Sequence, residues 1–337
     1  IFGDVDRYPR ERRPRAIEWL LALALVVYAV RSAGSLDTDK AVEQAVFFYI
    51  PFALLFAQLV RLDWTIDLGG RVAAVLVALA LVFAGIGFVE YASRFLAVVM
   101  LTVTTVLLWA TRARTVAFAA LVLAVLWAGL VLTLSQSSFA ALLAGLAVLA
   151  ALRWSVKGAV AGVGALLVVG VALVVAVPGH LGVDLSGTDQ LNETTSGRYE
   201  LIAGGVRLVQ DRPVTGHGSG SFSRAYLRAE DGSTERAVSA SHTTPVTVAA
   251  EQGAVGLAVY VLLLGAALLT LLRGAGRDPV RAAVAAGFVA IVVHSMSYAA
   301  FLEDPLTWFL AAIGLACTAG AAPPPRPTVD VVPLADG

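Results

Sequence analysis

Ten apolar runs constrain the fold of this chain more than any other feature of its sequence. They lie near 16–33, 43–60, 72–89, 95–111, 115–134, 138–152, 158–177, 244–272, 280–301 and 305–321. A helix needs roughly 20 apolar residues to cross the hydrocarbon of a bilayer, and helices satisfy their backbone hydrogen bonds internally. The sequence therefore predicts an all-α, polytopic transmembrane bundle of about ten spans. Because the first and sixth runs are short, the count lies between nine and eleven.

The composition excludes the alternative that these runs are core helices of a soluble protein. Only 14% of the 337 residues are charged, whereas a soluble domain has about a quarter. The mean hydropathy is +0.82. The 24 basic and 24 acidic side chains balance, so charge favours no nucleic-acid partner. Cys317 is the single cysteine, which excludes an intrachain disulfide.

The positions of lysine and arginine predict the orientation in the membrane. With a cytoplasmic N-terminus, 15 of the 24 basic residues fall in inward segments, and 3 fall in short outward segments (Arg31, Lys40 and Arg94). Short cytoplasmic loops carry the excess of basic residues in membrane proteins. The long loop 178–243 is therefore predicted to be extracytoplasmic, and the number of spans to be even.

The predicted spans divide the chain into four parts. Residues 1–177 form an N-terminal transmembrane bundle of about seven spans. Residues 178–243 form the extracytoplasmic loop, which is expected to hold the active site. Residues 244–321 form a C-terminal bundle of about three spans. The proline-rich segment 322–337 is predicted to be a disordered cytoplasmic tail.

The long loop concentrates the polar residues that can carry chemistry. Its segment 199–210 predicts an amphipathic helix on the membrane surface or capping the bundle, with Ser196 as N-cap. The apolar residues that share one face of this helix are Tyr199, Ile202, Val206 and Val209. A glycine-rich stretch follows at 211–222, where Gly216 and Gly218 allow a ligand to approach the backbone closely.

Residues 196–260 resemble the O-antigen ligase and O-antigen polymerase superfamily. The resemblance rests on Ser-Gly-Arg at 196–198, Arg-Pro-x-x-Gly-x-Gly-x-Gly-x-Phe at 212–222, His242, and Glu-x-Gly-x-x-Gly-Leu at 251–257. It implies a GT-C-type glycosyltransferase fold in the bacterial cytoplasmic (inner) membrane. It also implies an undecaprenyl-pyrophosphate-linked glycan as donor, and a glycan, glycolipid or protein hydroxyl as acceptor.

The chemistry of such a transfer assigns roles to individual residues. The acceptor hydroxyl needs a base that titrates near neutral pH, which suits His242. The leaving pyrophosphate needs the bidentate fork of arginine, which suits Arg198, with Arg212 as a secondary candidate. We expect Gly216, Gly218 and Glu251 in the substrate-binding site, with Glu251 orienting its neighbours. The resemblance implies an inverting transfer without metal or cofactor.

This chain departs from the resembling proteins at two positions. Many of them carry an arginine beside the serine of the polar hinge at 135–137, where this chain has Gln136. The resemblance therefore implies that another residue, for which Arg212 is the best candidate, supplies that charge. Asparagine often follows the histidine in those proteins, and Thr243 stands there in this chain.

The remaining polar groups have simpler interpretations. Asp37-Thr38-Asp39 has the form of a metal-binding DxD motif, but isolated carboxylates in a polar turn are common, so we expect no metal there. His217 is expected to be a residue of the glycine-rich loop, and His294 to make an interhelical hydrogen bond. Glu303 and Asp304 predict a solvated outward turn. Arg207, Arg224 and Arg228 are expected to face solvent or lipid headgroups.

Three alternative functions stay open on the sequence alone. A polymerase that joins two lipid-linked repeat units needs the same histidine and arginines. A transporter or flippase predicts charged spans, or spans broken by Gly or Pro, at the middle of the membrane, and the sequence predicts that such spans are absent. A structural assembly protein has no activity at all.

Overall fold

Every regular element in the part of the chain that the structure describes is a helix or a helical turn. This computed structural model describes residues 15–62, 64, 66–85, 89–133, 135–159, 161–162, 198–229 and 240–319. The helices are α1 (Ala16–Ser32), α2 (Thr38–Gln44), a π-helical turn (Ala45–Tyr49), α3 (Ile50–Leu59), α4 (Ile66–Gly85), α5 (Val89–Trp109), α6 (Ala113–Leu132), α7 (Gln136–Arg153), α8 (Arg198–Asp211), α9 (Phe222–Ala229), α10 (Thr244–Leu272), a 3₁₀ turn (Ala275–Arg277), α11 (Pro279–Ser295) and α12 (Pro305–Ala319). These elements confirm the predicted all-α fold.

Several helices have the length and composition of membrane spans. Four stretches are long and apolar enough to cross a bilayer, namely Thr38–Leu59, Ala113–Leu132, Gln136–Arg153 and Thr244–Arg277. Four shorter apolar helices accompany them at Leu68–Val82, Ser93–Trp109, Pro279–Ser295 and Pro305–Thr318. The polytopic bundle is thereby confirmed, and the count of about ten spans stays a prediction. Most of the run at 158–177, residues 178–197 and 230–239 of the loop, and the tail lie outside the described residues.

Large apolar side chains cover the outside of the bundle. Trp19, Phe118 and Leu269 are 66%, 67% and 68% exposed on three different helices. A protein surrounded by water exposes such side chains singly, because contiguous apolar surface is costly there. Lipid removes that cost, so this surface identifies an integral membrane protein.

Helix α11 lies between the two hydrophobic cores of the bundle. It packs against α5 and α7 on one side and against α10 and α12 on the other. Ala282, Ala286 and Ala290 recur every four residues and belong to the core shared with α5, α6 and α7. Phe288 and Ile291 belong to the second core. Small residues on one face allow helices to approach closely, so this alanine face brings α7 and α5 against the centre of the bundle.

Helix α11 ends earlier than the apolar run at 280–301 predicts. Its last residue is Ser295, whose hydroxyl donates to the carbonyl of Val292 at 2.7 Å. The chain then turns, and Phe301 packs edge-on against Tyr260 and Phe288. Apolar residues 299–302 therefore belong to the bundle interior without belonging to a helix, which a hydropathy pattern alone does not distinguish.

Helix α8 is confirmed, but it buries a different face from the predicted one. Leu201 and Leu208 are 6% and 3% exposed, whereas Tyr199 and Val206 are 46% and 42% exposed. The buried face also contains Gly204 and Gly205, where an added Cβ would overlap the rings of Tyr226 and Phe222 and side chains of α10. The two glycines thus bring α8 against α9 and α10, and their small size, rather than hydrophobicity, selects the buried face.

Candidate functional site

A break in α10 receives the glycine-rich loop, which we define as residues 213–221. Gly253 has φ +67° and ψ −166°, so the helix unwinds there. The N–H of Ala254 donates to the carbonyl of Pro213 at 2.8 Å, and the N–H of Gly218 donates to the carbonyl of Glu251 at 2.8 Å. Backbone groups freed inside a membrane protein must be satisfied by other parts of the protein. The loop provides these partners and holds the two segments together.

The break at Gly253 contradicts the expectation that no span is broken by glycine, which had counted against a transporter. A glycine-broken span does occur, at Gly253, which lies two and a half turns into α10. The loop of the same chain occupies the break, however, because an added Cβ at Gly253 would overlap the carbonyl of Val214. Since loop backbone fills the gap, the break serves to dock the loop in this structure.

Gly216 and Gly218 bring the loop against the bundle. Their φ angles are +63° and +102°, in the region that side chains with a Cβ rarely adopt. An added Cβ at Gly216 would overlap the carbonyl of Glu251, and one at Gly218 would overlap the backbone of Ser35. Both glycines are buried. Both glycines therefore lie close to backbone atoms of other segments of the chain. Their contact with substrate stays a prediction.

Glu251 organises the same loop through its carboxylate. The side chain is 4% exposed, and it accepts hydrogen bonds from the backbone N–H groups of Gly220 at 3.0 Å and Phe222 at 3.1 Å. The neighbouring Gln252 donates from Nε2 to the hydroxyl of Ser219 at 2.9 Å. Two consecutive side chains of α10 thus hold the loop in place. This geometry fits the expectation that Glu251 orients its neighbours.

His217 is part of the loop structure. It is 5% exposed, and its Nε2 lies 3.1 Å from the carbonyl oxygen of Leu208 in α8. Its backbone N–H donates to the carbonyl of Ala250 at 2.9 Å. His217 therefore connects α8 to α10, as expected of a loop residue. We call the end of the bundle that carries this loop, α8 and α9 the loop end.

His242 lies at the loop end in a strained turn that leads into α10. Its φ is +62°, in the left-handed region that is unfavourable for a side chain with a Cβ. The turn is held from both sides, because the Ser241 hydroxyl donates to the carbonyl of Thr243 at 2.9 Å and also lies 2.9 Å from the hydroxyl of Thr247. Strain of this kind persists only where the surroundings determine it, and it is frequent at functional sites.

The ring of Tyr298 gathers His242, His294 and Arg94. Its centroid lies 6.3 Å from that of His242 and 5.9 Å from that of His294. The guanidinium carbon of Arg94 lies over the same ring, 5.2 Å from its centroid. We call these four residues the His–Tyr cluster. The candidate base His242 and the cation Arg94 thus lie beside the same tyrosine ring.

The polar hinge at 135–137 lies beside this cluster. The hydroxyl of Ser137 is 3.4 Å from Nε2 of His294, which confirms the expected interhelical hydrogen bond of His294. Ser138 donates to Ser93 of α5 at 2.9 Å. Gln136 is the first residue of α7. The position at which the resembling proteins carry an arginine is therefore next in sequence to Ser137, which contacts His294 of the His–Tyr cluster.

The expectation of a solvated turn at Glu303 and Asp304 is wrong. Asp304 is 5% exposed and forms an ion pair of 3.0 Å with Arg94. Burial raises the pKa of Asp304, while Arg94 and the backbone N–H of Leu306 lower it. Glu303 accepts a hydrogen bond of 2.5 Å from Nε2 of Gln44, and burial raises its pKa as well. The partners come from α2 and α5, which lie far away in sequence.

A cavity of about 250 Å³ opens at the loop end, next to His242. Its wall includes Ala240 and Thr244, which lie two residues before and two residues after His242. The polar side chains of the wall are Tyr28, Lys40, Gln44, Tyr49, Thr244, Thr247, Glu251, Tyr260 and Glu303. The turn that carries the candidate base therefore forms part of the rim of a polar cavity.

The two predicted pyrophosphate-binding arginines have different positions. Arg198 begins α8, and its side chain lies outside what the structure describes, so its convergence with His242 stays a prediction. The Arg212 side chain is 52% exposed, with Nε 3.9 Å from a carboxylate oxygen of Asp211.

Asp37 of the DxD-like turn accepts a hydrogen bond from the backbone N–H of Lys40 and pairs with Nε of Arg224 at 2.8 Å. Arg224 is therefore bound to α2.

Sequence reasoning missed Arg94, Tyr298 and Gln44. A signal for Arg94 was present, since it is one of three basic residues in the short outward segments, where the membrane-protein rule predicts few. Tyr298 and Gln44 had no such signal, because their roles depend on tertiary neighbours.

Comparison with known proteins supports the family resemblance. Residues 119–261 match a protein family described as O-antigen ligase. The match spans α7, α8, the glycine-rich loop, the His242 turn and the break at Gly253. No curated protein matches the chain. This match covers the motifs that carried the resemblance, so the part of the chain at residues 119–261 is similar to the O-antigen ligase family.

Proposed function

We propose that this protein transfers a glycan from undecaprenyl pyrophosphate to an acceptor hydroxyl, on the outer side of the bacterial cytoplasmic membrane. The observation that carries the proposal is the position of His242 in a strained turn, whose flanking residues Ala240 and Thr244 line a polar cavity. The proposed orientation places the loop end outside. It follows from the predominance of basic residues in the opposite segments.

The proposed reaction is a single displacement at the anomeric carbon. The acceptor oxygen forms a bond to that carbon while the bond from carbon to the phosphate oxygen breaks. His242 takes the hydroxyl proton, and undecaprenyl pyrophosphate leaves with the electron pair of the broken bond. A histidine titrating near neutral pH is suited to this proton transfer. Displacement from the opposite face inverts the anomeric configuration.

Arginines are proposed to stabilise the leaving pyrophosphate without a metal. Arg198 and Arg212 keep the roles that the family resemblance implies. We add Arg94, because its guanidinium shares the ring of Tyr298 with His242. Arg94 already pairs with Asp304 through Nη1, and a guanidinium has five N–H donors. It can therefore contact a phosphate oxygen while the ion pair with Asp304 stays intact.

The loop residues are proposed to act through the shape of the site. Gly216 and Gly218 allow the loop to contact the bundle, and Glu251 fixes its backbone. Substrate would then contact a surface that these residues hold in place. Membrane lipid would surround the polyprenyl chain of the donor.

A gene-deletion strain of the native host tests the proposed function. Loss of the protein should cause its lipid-linked glycan to accumulate, measured by mass spectrometry of the extracted lipids. The wild-type gene should restore turnover, and His242→Ala and Arg94→Ala should not. Arg228→Ala is the matched control, since Arg228 is an exposed residue in the last turn of α9, and it should restore turnover. Unchanged lipid-linked glycan in the deletion strain contradicts the proposal.

A further inference from the structure

Three buried polar atoms that line the cavity at the loop end lack a hydrogen-bond partner among the described residues, namely the hydroxyl of Tyr260 and one atom each of Gln44 and Thr244. Gln44 is 8% exposed, and while its Nε2 donates to Glu303, its Oε1 is unpartnered. Thr244 is 5% exposed, and its Oγ1 is unpartnered as well. Both residues line the cavity. Since buried polar groups are almost always hydrogen-bonded, these three atoms indicate a ligand that brings its own donors and acceptors.

The charged groups in the cavity wall make a phosphate an unfavourable ligand. The wall contains the carboxyl groups of Glu251 and Glu303 and the ammonium group of Lys40, and none of the described lining residues is an arginine. Lys40 Nζ is 2.9 Å from the carboxylate of Glu43. An anion in the cavity would therefore face two carboxyl groups and one cation that is already paired. An uncharged ligand with several hydroxyl groups meets no such penalty.

Aromatic side chains provide the apolar part of the wall. The π-helical turn Ala45–Tyr49 directly follows Gln44 and brings Phe48 and Tyr49 to the same cavity. The ring of Tyr49 packs edge-on against Tyr28, with centroids 5.0 Å apart. A sugar ring has apolar C–H faces and a polar rim of hydroxyls, so it matches tyrosines, which combine an apolar ring with a polar end.

We propose that this cavity is a subsite for one uncharged sugar ring, with Gln44 Oε1 and Thr244 Oγ1 as hydrogen-bond partners of its hydroxyls. The carboxyl groups of the wall disfavour a uronic acid relative to an uncharged sugar. The assignment rests on the proposed function, because a transferase must hold a sugar beside its base, and Ala240 and Thr244, which flank His242 in sequence, line this cavity. The ring belongs either to the donor glycan or to the acceptor.

Ligand-observed NMR with purified protein in lipid nanodiscs tests the subsite. Glycoside detergents are avoided, because their sugar headgroups would compete. The probes are methyl galactoside, methyl glucoside and N-acetylglucosamine, with galacturonate and glucuronate as their charged counterparts. At least one uncharged probe should bind, and neither uronate should. Gln44→Leu and Thr244→Val should each weaken binding about tenfold, as expected for the loss of one buried hydrogen bond.

Matched controls make the same chemical changes away from the cavity. Gln58→Leu lies at the far end of α3, and Thr270→Val lies on α10, where the threonine hydroxyl donates to Ala266. Both controls should bind the sugar as the wild type does. Absence of saturable binding to any uncharged probe overturns the subsite, as does equal binding of the uronates or an equal loss in the controls.

Activity separates failure of the subsite from failure of the proposed function. His242→Ala should keep sugar binding while losing turnover of the lipid-linked glycan. In a reconstituted transfer, the cavity variants should raise KM for the substrate whose ring occupies the cavity, donor or acceptor, and leave the other KM unchanged. Wild-type turnover without any sugar binding retains the function and overturns the subsite. Sugar binding without any turnover overturns the function alone.

Discussion

His242 combines a strained backbone with a position at a cavity rim. Among the described residues it is the one non-glycine residue with a positive φ. A left-handed conformation costs roughly 1–2 kcal/mol for a residue with a Cβ. The hydroxyl contacts of Ser241 with Thr243 and Thr247 hold the turn in this conformation. These contacts fix the backbone from which the imidazole projects, and a catalytic base requires such a fixed position.

Glu303 should make the stability of the protein depend on pH. Burial raises its pKa above the ordinary glutamate value of about 4.3, so the folded chain binds the proton more tightly than the unfolded chain. Its contribution to the free energy of unfolding is fully present below about pH 4 and is lost as the pH rises through the folded pKa. Glu303→Gln, which is always neutral, should reduce this loss.

Thermal unfolding between about pH 4 and about pH 8 measures the effect of this substitution. The wild type should lose stability with rising pH more steeply than Glu303→Gln. Glu43→Gln is the control, since the Glu43 side chain is 49% exposed, and it should keep the wild-type slope. Identical slopes for Glu303→Gln and the wild type would show that Glu303 has the same proton affinity in the folded and unfolded chain.

At the scale of elements, α10 and the glycine-rich loop form one unit. The helix unwinds at Gly253, and the loop supplies partners to the backbone on both sides of the break. The carboxylate of Glu251 binds two further N–H groups of the loop and of α9. The loop therefore depends on α10 for its conformation, and the site depends on the loop.

Glu251→Ala should destabilise this unit. It leaves the buried N–H groups of Gly220 and Phe222 without their acceptor, at a cost of about 1–3 kcal/mol for each group. We expect a lower thermal midpoint and faster proteolysis within residues 213–221, while Glu43→Ala, at an exposed position, should match the wild type. A Glu251→Ala protein of normal stability with only weaker substrate binding would instead place Glu251 in direct contact with substrate.

For the whole molecule, the sequence predicted the architecture better than the site. Apolar runs predicted the helices, because membrane spans are defined by length and hydropathy alone. The predictions about the fold that were wrong concern single elements. Glycine packing changed the buried face of α8, and tertiary partners buried Asp304 and bound Glu303, which the sequence placed in a solvated turn. Such partners are invisible in a linear pattern, since Arg94 and Asp304 are more than 200 residues apart.

The motifs of the site were recognisable because they are compact in sequence. Those of residues 212–222 and 251–257 meet in space, as their order implied. The cavity could not be predicted, because its wall combines α1, α2, α10 and the turn before α12. Helix α10 contributes four polar residues and each of the other elements one or two, and each of these residues separately resembles an ordinary interfacial side chain.

Transfer by the purified protein tests the central claim, that His242 is the base of a glycan transferase. The wild type, His242→Ala and the control His217→Gln are reconstituted in liposomes containing a membrane extract of the deletion strain, which provides donor and acceptor. Loss of lipid-linked glycan is followed over time at equal amounts of folded protein. His242→Ala should slow transfer by about 10² to 10⁴, whereas His217→Gln, which keeps a donor toward Leu208, should transfer at close to the wild-type rate. A His242→Ala rate equal to that of the wild type would contradict the account.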